Sequence, residues 1–310
     1  MTKIFIDGSA GTTGLRIADR LAGREDLTIL SLPEALRKDP EARKEAINAA
    51  DIAFFCLPDA AAVEAAAMAE DSTAVIDTST AHRTAEGWAY GFPELRGRRS
   101  AIQNGRRIAN PGCHASGFIS LVEPLVSEGM IAPDTALTCF SVTGYSGGGQ
   151  KMIAEYESAG RSTALDSPRQ YALGQEHKHL KEMVSVCSLE TTPVFCPIVG
   201  DYYSGMAVTV PLFKKDLRCS VEELIALYKA CYHSPIVHYE PFTEAMLAGN
   251  ALSGRDDMEI TVAGNEDRIL LISLFDNLGK GASGAAIQNM NILLGLDETT
   301  GLVLQQEESK

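Results

Sequence analysis

Of the seven cysteines in the sequence, one stands where a thiol can become a nucleophile. Cys113 lies in Asn110-Pro111-Gly112-Cys113-His114-Ala115-Ser116-Gly117, between the end of a strand-like run and a run with helical spacing. Pro111 and Gly112 force a sharp turn, so the thiol is expected at a helix N-terminus. There the helix dipole and the free N–H groups favour thiolate, the form that attacks an acyl carbon. An inert loop cysteine is the competing reading. The other six have plainer settings. Cys56, Cys139, Cys187 and Cys196 fall in apolar strand-like runs, Cys231 falls in a helix, and Cys219 adjoins a helix start without a turn motif. Buried cysteines behave as small hydrophobes. No pair has the CxxC spacing of a metal site, so reduced thiols and no metal are expected.

Acyl chemistry on a thiolate also needs a proton carrier. His177 and His179 sit in the densest polar cluster, His177-Lys178-His179-Leu180-Lys181-Glu182, where Glu182 can orient an imidazole; surface residues are the plain reading. His114 adjoins Cys113, but helix neighbours diverge by about 100°, so its ring is expected to point away from the thiol. Two further segments resemble anion sites. Gly144-Tyr145-Ser146-Gly147-Gly148-Gly149-Gln150-Lys151 is a glycine-rich loop able to aim backbone N–H groups at a phosphate. Asp77-Thr78-Ser79-Thr80-Ala81-His82-Arg83 follows a strand on the edge where open α/β sheets bind ligands, and Arg83 can grip a carboxylate or phosphate with two donors. A hairpin turn and a surface loop are the plain alternatives.

The first strand runs directly into a GxxGxxG loop, Gly8, Ser9, Ala10, Gly11, Thr12, Thr13 and Gly14, which opens a helix. Such a loop lets backbone approach a pyrophosphate whose charge meets the helix N-terminus. The second strand ends at Ser31 rather than at an acid, with Arg37 and Lys38 close behind. A small hydroxyl beside cations suits the 2′-phosphate of NADP, while Glu34 nearby is what a free 2′-hydroxyl of NAD would use.

These residues need a scaffold. Short apolar strands at Lys3–Asp7, Leu27–Leu32, Asp51–Leu57, Ala74–Asp77 and Arg107–Ala109 alternate with helical stretches at Leu15–Ala22, Pro40–Ala50 and Ala60–Ala69. That alternation predicts a Rossmann-type parallel sheet covered on both faces. After Cys113 the pattern changes. A helix is expected over His114–Val126, then strands at Ala136–Thr143, Pro193–Ile198, Ala207–Leu212, Ile236–His238, Met258–Ala263 and Ile269–Phe275. One helix, Val221–Tyr232, opens with the capping box Ser220-Val221-Glu222-Glu223. This half predicts an α+β domain with a mostly antiparallel sheet. The overall class is α/β, with a nucleotide-binding domain over 1–112 plus the returning segment 283–310, and a catalytic domain over 113–282.

Length and composition agree with two domains. The chain has 310 residues, 45% hydrophobic, with a formal charge of −14. So acidic a chain lacks the electrostatic footprint for nucleic acid or anionic membrane surfaces. No apolar run approaches the ~20 residues of a membrane span, and no signal-peptide pattern is read at the start, so a cytoplasmic location is expected.

Taken in order, GSAGTTG, DTSTAHR, ANPGCHASG, GYSGGGQK, EHKHLKE and FDNLGKGASGAAIQNMN resemble the motif series of the N-acetyl-γ-glutamyl-phosphate reductase family. The length and the HKHLKE form resemble its shorter subtype. The resemblance implies reduction of N-acetyl-L-glutamyl 5-phosphate by NADPH to the 5-semialdehyde, the third step of arginine biosynthesis. It implies that Cys113 forms a thioacyl intermediate and that His179, or else His177, is the acid/base. Arg83 would hold the substrate, with Ser79, Asn110, Gly148 and Glu182 around it. Ser146, Gly147, Asn277 and Lys280 would contact the cofactor. A homodimer or homotetramer is implied, and a carrier-linked glutamyl substrate stays open. Aspartate-semialdehyde dehydrogenase is the nearest alternative, although its downstream histidine motif is absent here. A non-catalytic dinucleotide sensor would leave Cys113 and the HKH cluster without a purpose.

Overall fold

The computed structural model describes residues 1–9, 11–241 and 243–305, so Ala10 of the glycine loop lies outside the described residues. The chain forms two compact units, Met1–Pro111 with Ala282–Leu302, and Gly112–Gly281 with a tail that begins at Val303.

In the first unit β1 (Thr2–Asp7) leads to α1 (Thr12–Leu21), β2 (Leu27–Leu30), α2 (Pro40–Ala49), β3 (Ile52–Phe55), α3 (Asp59–Met68), β4 (Ala74–Asp77), β5 (Ala89–Tyr90), α4 (Arg98–Asn104) and β6 (Arg107–Ala109). The strands form one sheet in the order β2-β1-β3-β4-β6-β5, parallel throughout. A strand covered on both faces must be apolar at nearly every position, and all of β3 and β4 is buried. Alternate side chains divide between two cores. Ile4, Ile6, Phe54 and Ile76 enter one, Phe5, Ala53, Phe55 and Val75 the other. Gly8, just past β1, has φ +87°, and a Cβ there would overlap the Cys56 carbonyl. Only glycine takes that turn without strain. α2 begins as its residues dictate, with Asp39 accepting from the Ala42 N–H at 2.9 Å and Pro40 in the first helical position.

The second unit comprises α5 (Cys113–Ser127), β7 (Thr138–Gly144), α6 (Gly149–Glu157), β8 (Arg169–Gln170), α7 (His179–Val186), β9 (Val194–Gly200), β10 (Met206–Phe213), α8 (Val221–Cys231), β11 (Val237–Tyr239), β12 (Met258–Gly264) and β13 (Arg268–Phe275). Its sheet has the order β11-β12-β13-β10-β7-β9-β8. Pairing is antiparallel except between β11 and β12 and between β7 and β9. The chain then returns to the first unit as α9 (Gly284–Leu293), where Ala286, Ile287 and Met290 join the Ile4 core. From Val303 it pairs instead with Asp256 of the second unit, N–H to carboxylate at 2.8 Å. Among the described residues no helix is long and apolar enough to cross a membrane.

α5 is the axis of the second unit, buried from His114 to Val122. Gly117 lets it lie directly on the sheet, since a Cβ there would press into Val208 and Ser273. Pro124 sits inside the helix and has no N–H for the Ser120 carbonyl four residues earlier. The Tyr232 hydroxyl donates to that carbonyl at 2.7 Å, and the Tyr228 hydroxyl donates to Leu121 O at 2.6 Å. Replacing Tyr232 by Phe leaves a buried carbonyl short of a donor, a loss of about 1–3 kcal/mol. The urea midpoint of Tyr232→Phe should fall accordingly. An unchanged midpoint would mean that Ser120 finds another partner.

Candidate active site

Cys113 is the first residue of α5, and Gly112 is its N-cap. The Gly112 N–H donates to Oε1 of Glu182 at 2.9 Å, across from α7. Glu182 is buried, so this carboxylate fixes the start of α7 beside the start of α5. The HKH cluster opens α7. The His179 N–H donates to Nδ1 of His177 at 3.2 Å, and the two rings lie 4.7 Å apart at 82°.

His114, expected to turn away from the thiol, is the third member of this cluster. Its ring lies 5.6 Å from each of His177 and His179. Nδ1 of His114 is 2.6 Å from Oγ of Ser141, and Nε2 is 2.6 Å from the hydroxyl of Tyr171. Burial above all, then the charges of His177 and Lys178, hold the His114 imidazole down at about 3, so it is neutral near pH 7. Burial, followed by the charge of Cys113, pushes the Tyr171 phenol well above its ordinary range. Ser141 lies on β7 and Tyr171 just past β8, and no motif in the sequence links either to His114. Gly281 lies against Cys113, where a Cβ would stand 3.0 Å from the Cys113 Cβ.

The glycine-rich loop after β7 is not a hairpin. Tyr145–Gly148 forms a 3-10 turn that runs straight into α6. Ser146 Oγ accepts from Asn277 Nδ2 at 2.9 Å, and Asn277 Oδ1 accepts from the Gly205 N–H at 2.8 Å. Gly147 faces the same amide, with Asn277 Nδ2 3.7 Å from where its Cβ would lie, and Gly148 packs on Met152. Lys280 is buried in the π-turn Gly279–Ser283.

The first unit holds a cavity of about 820 Å³ at the C-terminal end of β1 and β2. Gly8, Ser9, Ser31 and Arg37 line it, joined by Lys38, Glu34, Asp7 and Arg43. The Gly11 N–H closes the loop on Gly8 O at 3.0 Å, and Thr12, Thr13 and Gly14 form the first turn of α1 without a side-chain cap. No motif in the sequence marks Arg43. It reaches from α2 to Oδ2 of buried Asp7 through Nε at 3.0 Å and Nη2 at 2.8 Å.

After β4, Asp77 organises its loop. It accepts from the N–H and the hydroxyl of Ser79 at 2.9 and 2.7 Å, and its Oδ2 lies 2.6 Å from Nδ1 of His82. The His82 ring stacks on Trp88 at 4.0 Å. Arg83 donates through Nε to Asn110 O and through Nη2 to Thr78 O, each at 3.0 Å. The Asn110 side chain binds Ala282 O and Asn289 Nδ2 at 3.0 and 3.1 Å, anchoring the returning segment. Among the described residues, His238, Asp257 and Glu259 have the mutual reach of metal ligands, and Arg255 bridges both carboxylates.

Two family profiles match the chain. "Semialdehyde dehydrogenase, NAD binding domain" covers residues 14–104, and "Semialdehyde dehydrogenase, dimerisation domain" covers 113–277. Aspartate semialdehyde dehydrogenase II of Vibrio cholerae has the same fold, with a TM-score of 0.71 over 95% of this chain and 99% of that one, at 16% identity. The fold and the thiol turn therefore define a protein of the semialdehyde dehydrogenase class. Proteins named N-acetyl-gamma-glutamyl-phosphate reductase are much nearer in sequence. The Brucella ovis protein is 44% identical over 94% of this chain and 99% of its own. The Nostoc protein, reductase 2, is 42% identical over 97% and 99%. The chain belongs to the N-acetyl-γ-glutamyl-phosphate reductase family.

The buried imidazole of His114 ties stability to pH. Its pKa is lowered on folding, so the unfolded chain binds the extra proton as the pH falls below about 6.5. Stability is full above that value and declines below it. Between pH 7 and 5 the wild type should lose about 2 kcal/mol more than His114→Gln in urea titrations. Parallel losses in the two proteins would show that His114 takes up its proton inside the fold.

Proposed function

We propose that the chain uses NADPH to reduce N-acetyl-L-glutamyl 5-phosphate to N-acetyl-L-glutamate 5-semialdehyde and phosphate, a step of arginine biosynthesis in the cytoplasm. One observation carries the reading within this family: Cys113 opens buried α5 with the His177–His179 pair on the adjoining start of α7.

The nucleotide cavity fits the cofactor. Gly8 allows backbone to approach a pyrophosphate, and Ser31 with Arg37, Lys38 and Arg43 suits a 2′-phosphate. Gly11, Thr12, Thr13 and Gly14 would hold the pyrophosphate, and Ser146, Gly147, Asn277 and Lys280 are also proposed to bind the cofactor. Bound there, NADPH supplies a hydride. The chain's own residues do the rest. The Cys113 sulfur attacks the acyl carbon, an S–C bond forms, and the C–O bond to phosphate breaks with its electron pair leaving on phosphate. Hydride reaches the same carbon, and the thiohemiacetal so formed expels the Cys113 sulfur to leave the aldehyde. His179, or His177 in its place, takes the thiol proton, gives it to the oxygen as hydride arrives, and takes it back as the thiohemiacetal collapses, so that the proton ends on the Cys113 sulfur. Arg83, its plane set by Asn110 and Thr78, is proposed to hold the anionic end of the substrate, and Ser79, Asn110, Gly148 and Glu182 are proposed to bind it as well.

The reaction is tested in reverse. Semialdehyde, phosphate and NADP should yield NADPH, with no formation when phosphate is omitted or Cys113 is replaced by Ser. Turnover only with aspartate semialdehyde, or undiminished turnover in Cys113→Ser, would sink the reading.

The chain is also proposed to form a homodimer or homotetramer through one face of the second sheet. Phe140, Val194, Phe213 and Leu270 lie on that face and are 44%, 53%, 57% and 38% exposed. Alternating strands normally turn polar residues outward, and this face is apolar. Phe140→Glu should give monomers in sedimentation with an unchanged circular dichroism spectrum. An intact oligomer would place the contact elsewhere.

A further inference from the structure

Ser141 on β7 is fully buried, and among the described residues its hydroxyl has one partner, Nδ1 of His114. Nε2 of the same ring meets the Tyr171 hydroxyl. A neutral imidazole carries one N–H and one lone pair, so two proton arrangements are open. With the proton on Nδ1, the ring would donate to Ser141, and the serine O–H would be buried without an acceptor. That arrangement costs about 1–3 kcal/mol. Tyr171 is half-buried and Ser141 fully buried, so the hydrogen without a protein acceptor can reach water from the phenol and not from the serine. Ser141 therefore donates to Nδ1, Nε2–H donates to the Tyr171 oxygen, and the chain runs one way. The phenolic hydrogen is left to point onward, and no acceptor for it stands among the described residues.

Tyr171 belongs to the thiol site. His114 follows Cys113 in the first turn of α5, and the His177 ring lies 6.0 Å from the Tyr171 ring. A phenol whose pKa is raised stays protonated, so it donates and does not act as a base. The acceptor that gains negative charge in this chemistry is the oxygen of the acyl group, and a fixed donor there strengthens as the charge develops.

We propose that His114 is a positioning residue that turns the Tyr171 hydroxyl onto the oxygen of the acyl group on Cys113, beside the imidazole that protonates it. The proposal rests on the thioacyl reading above and adds a donor to it. Nitrogen-15 NMR of the full chain tests the direction without turnover: at pH 6 to 8 the His114 ring should be protonated at Nε2 and bare at Nδ1. A proton on Nδ1 overturns the chain.

Kinetics test its use. Tyr171→Phe should lower kcat about 100-fold, with NADP affinity and the rate of Cys113 alkylation unchanged. Ser141→Ala should lower kcat in the wild type and add nothing in a Tyr171→Phe background, because serine acts through the phenol. Wild-type kcat in Tyr171→Phe, or independent losses in the double variant, overturns the proposal. A wild type without turnover on the semialdehyde refutes the functional reading, and the proposal with it, whatever the NMR shows.

Discussion

A helix cannot begin inside a protein without partners for its first N–H groups, and α5 begins inside one. Its first turn is buried from His114 onward, so neither water nor a flexible cap can serve it. Gly112 has no side chain to fold back, and the acceptor at its N–H is Glu182, buried on α7. A carboxylate suits that place because the helix start carries partial positive charge. The consequence is geometric. Fixing Glu182 at the head of α5 fixes the first turn of α7, and with it His177 and His179, against the turn that carries Cys113. The remainder of α5 is held with similar economy. Gly117 brings it onto β10 and β13, and the carbonyl that Pro124 leaves without a helical donor is met by Tyr232.

The first unit solves a related problem with charge. Asp7 ends β1 beside the glycine loop and is buried, where a lone carboxylate would be costly. Arg43 answers it from α2, and in doing so becomes part of the cavity wall. Removing either partner would strand the other, so the pair constrains the wall.

Local chemistry made much of this readable. Runs such as Ile52–Phe55 and Ala74–Asp77 are apolar at nearly every position, which only a doubly covered strand requires, and both appear where expected. The capping box at Ser220 forms as read, with both of its hydrogen bonds present. What stayed hidden depends on partners far apart in the chain. α6 begins at Gly149, and three consecutive glycines read as a loop because their helical role comes from the turn that Ser146 and Asn277 hold together. α7 is a short helix of eight residues, too short to show a periodic face. β5 has two residues and exists only as a neighbour of β6. Arg43 lies 36 residues from Asp7, and its spacing within α2 carries no mark of the pairing. His114 is the instructive case. The 100° rule separates it from the side chain of Cys113, but what its ring meets is set by β7 and the residue just past β8, which supply Ser141 and Tyr171.

Seven thiols in one chain also need a reason for one to react. Burial pushes Cys56 up to about 12, and burial also raises Cys139 and Cys187 well above the usual thiol range. A thiol that cannot ionise is neither nucleophile nor metal ligand at working pH. Cys113 instead begins a helix, with imidazoles on the adjoining element. Gly281 packs against its Cβ, where any larger residue would have to move it. Desolvation therefore sets Cys56, Cys139 and Cys187 apart from the partly buried Cys113. The same low-dielectric interior that silences three thiols keeps His114 neutral, and a neutral ring can pass a hydrogen bond from Ser141 to Tyr171 in a fixed direction. A charged ring would donate from both nitrogens and leave the buried Ser141 proton without an acceptor. The burial that makes three cysteines inert is thus the condition that orders the hydrogen bonds around the fourth.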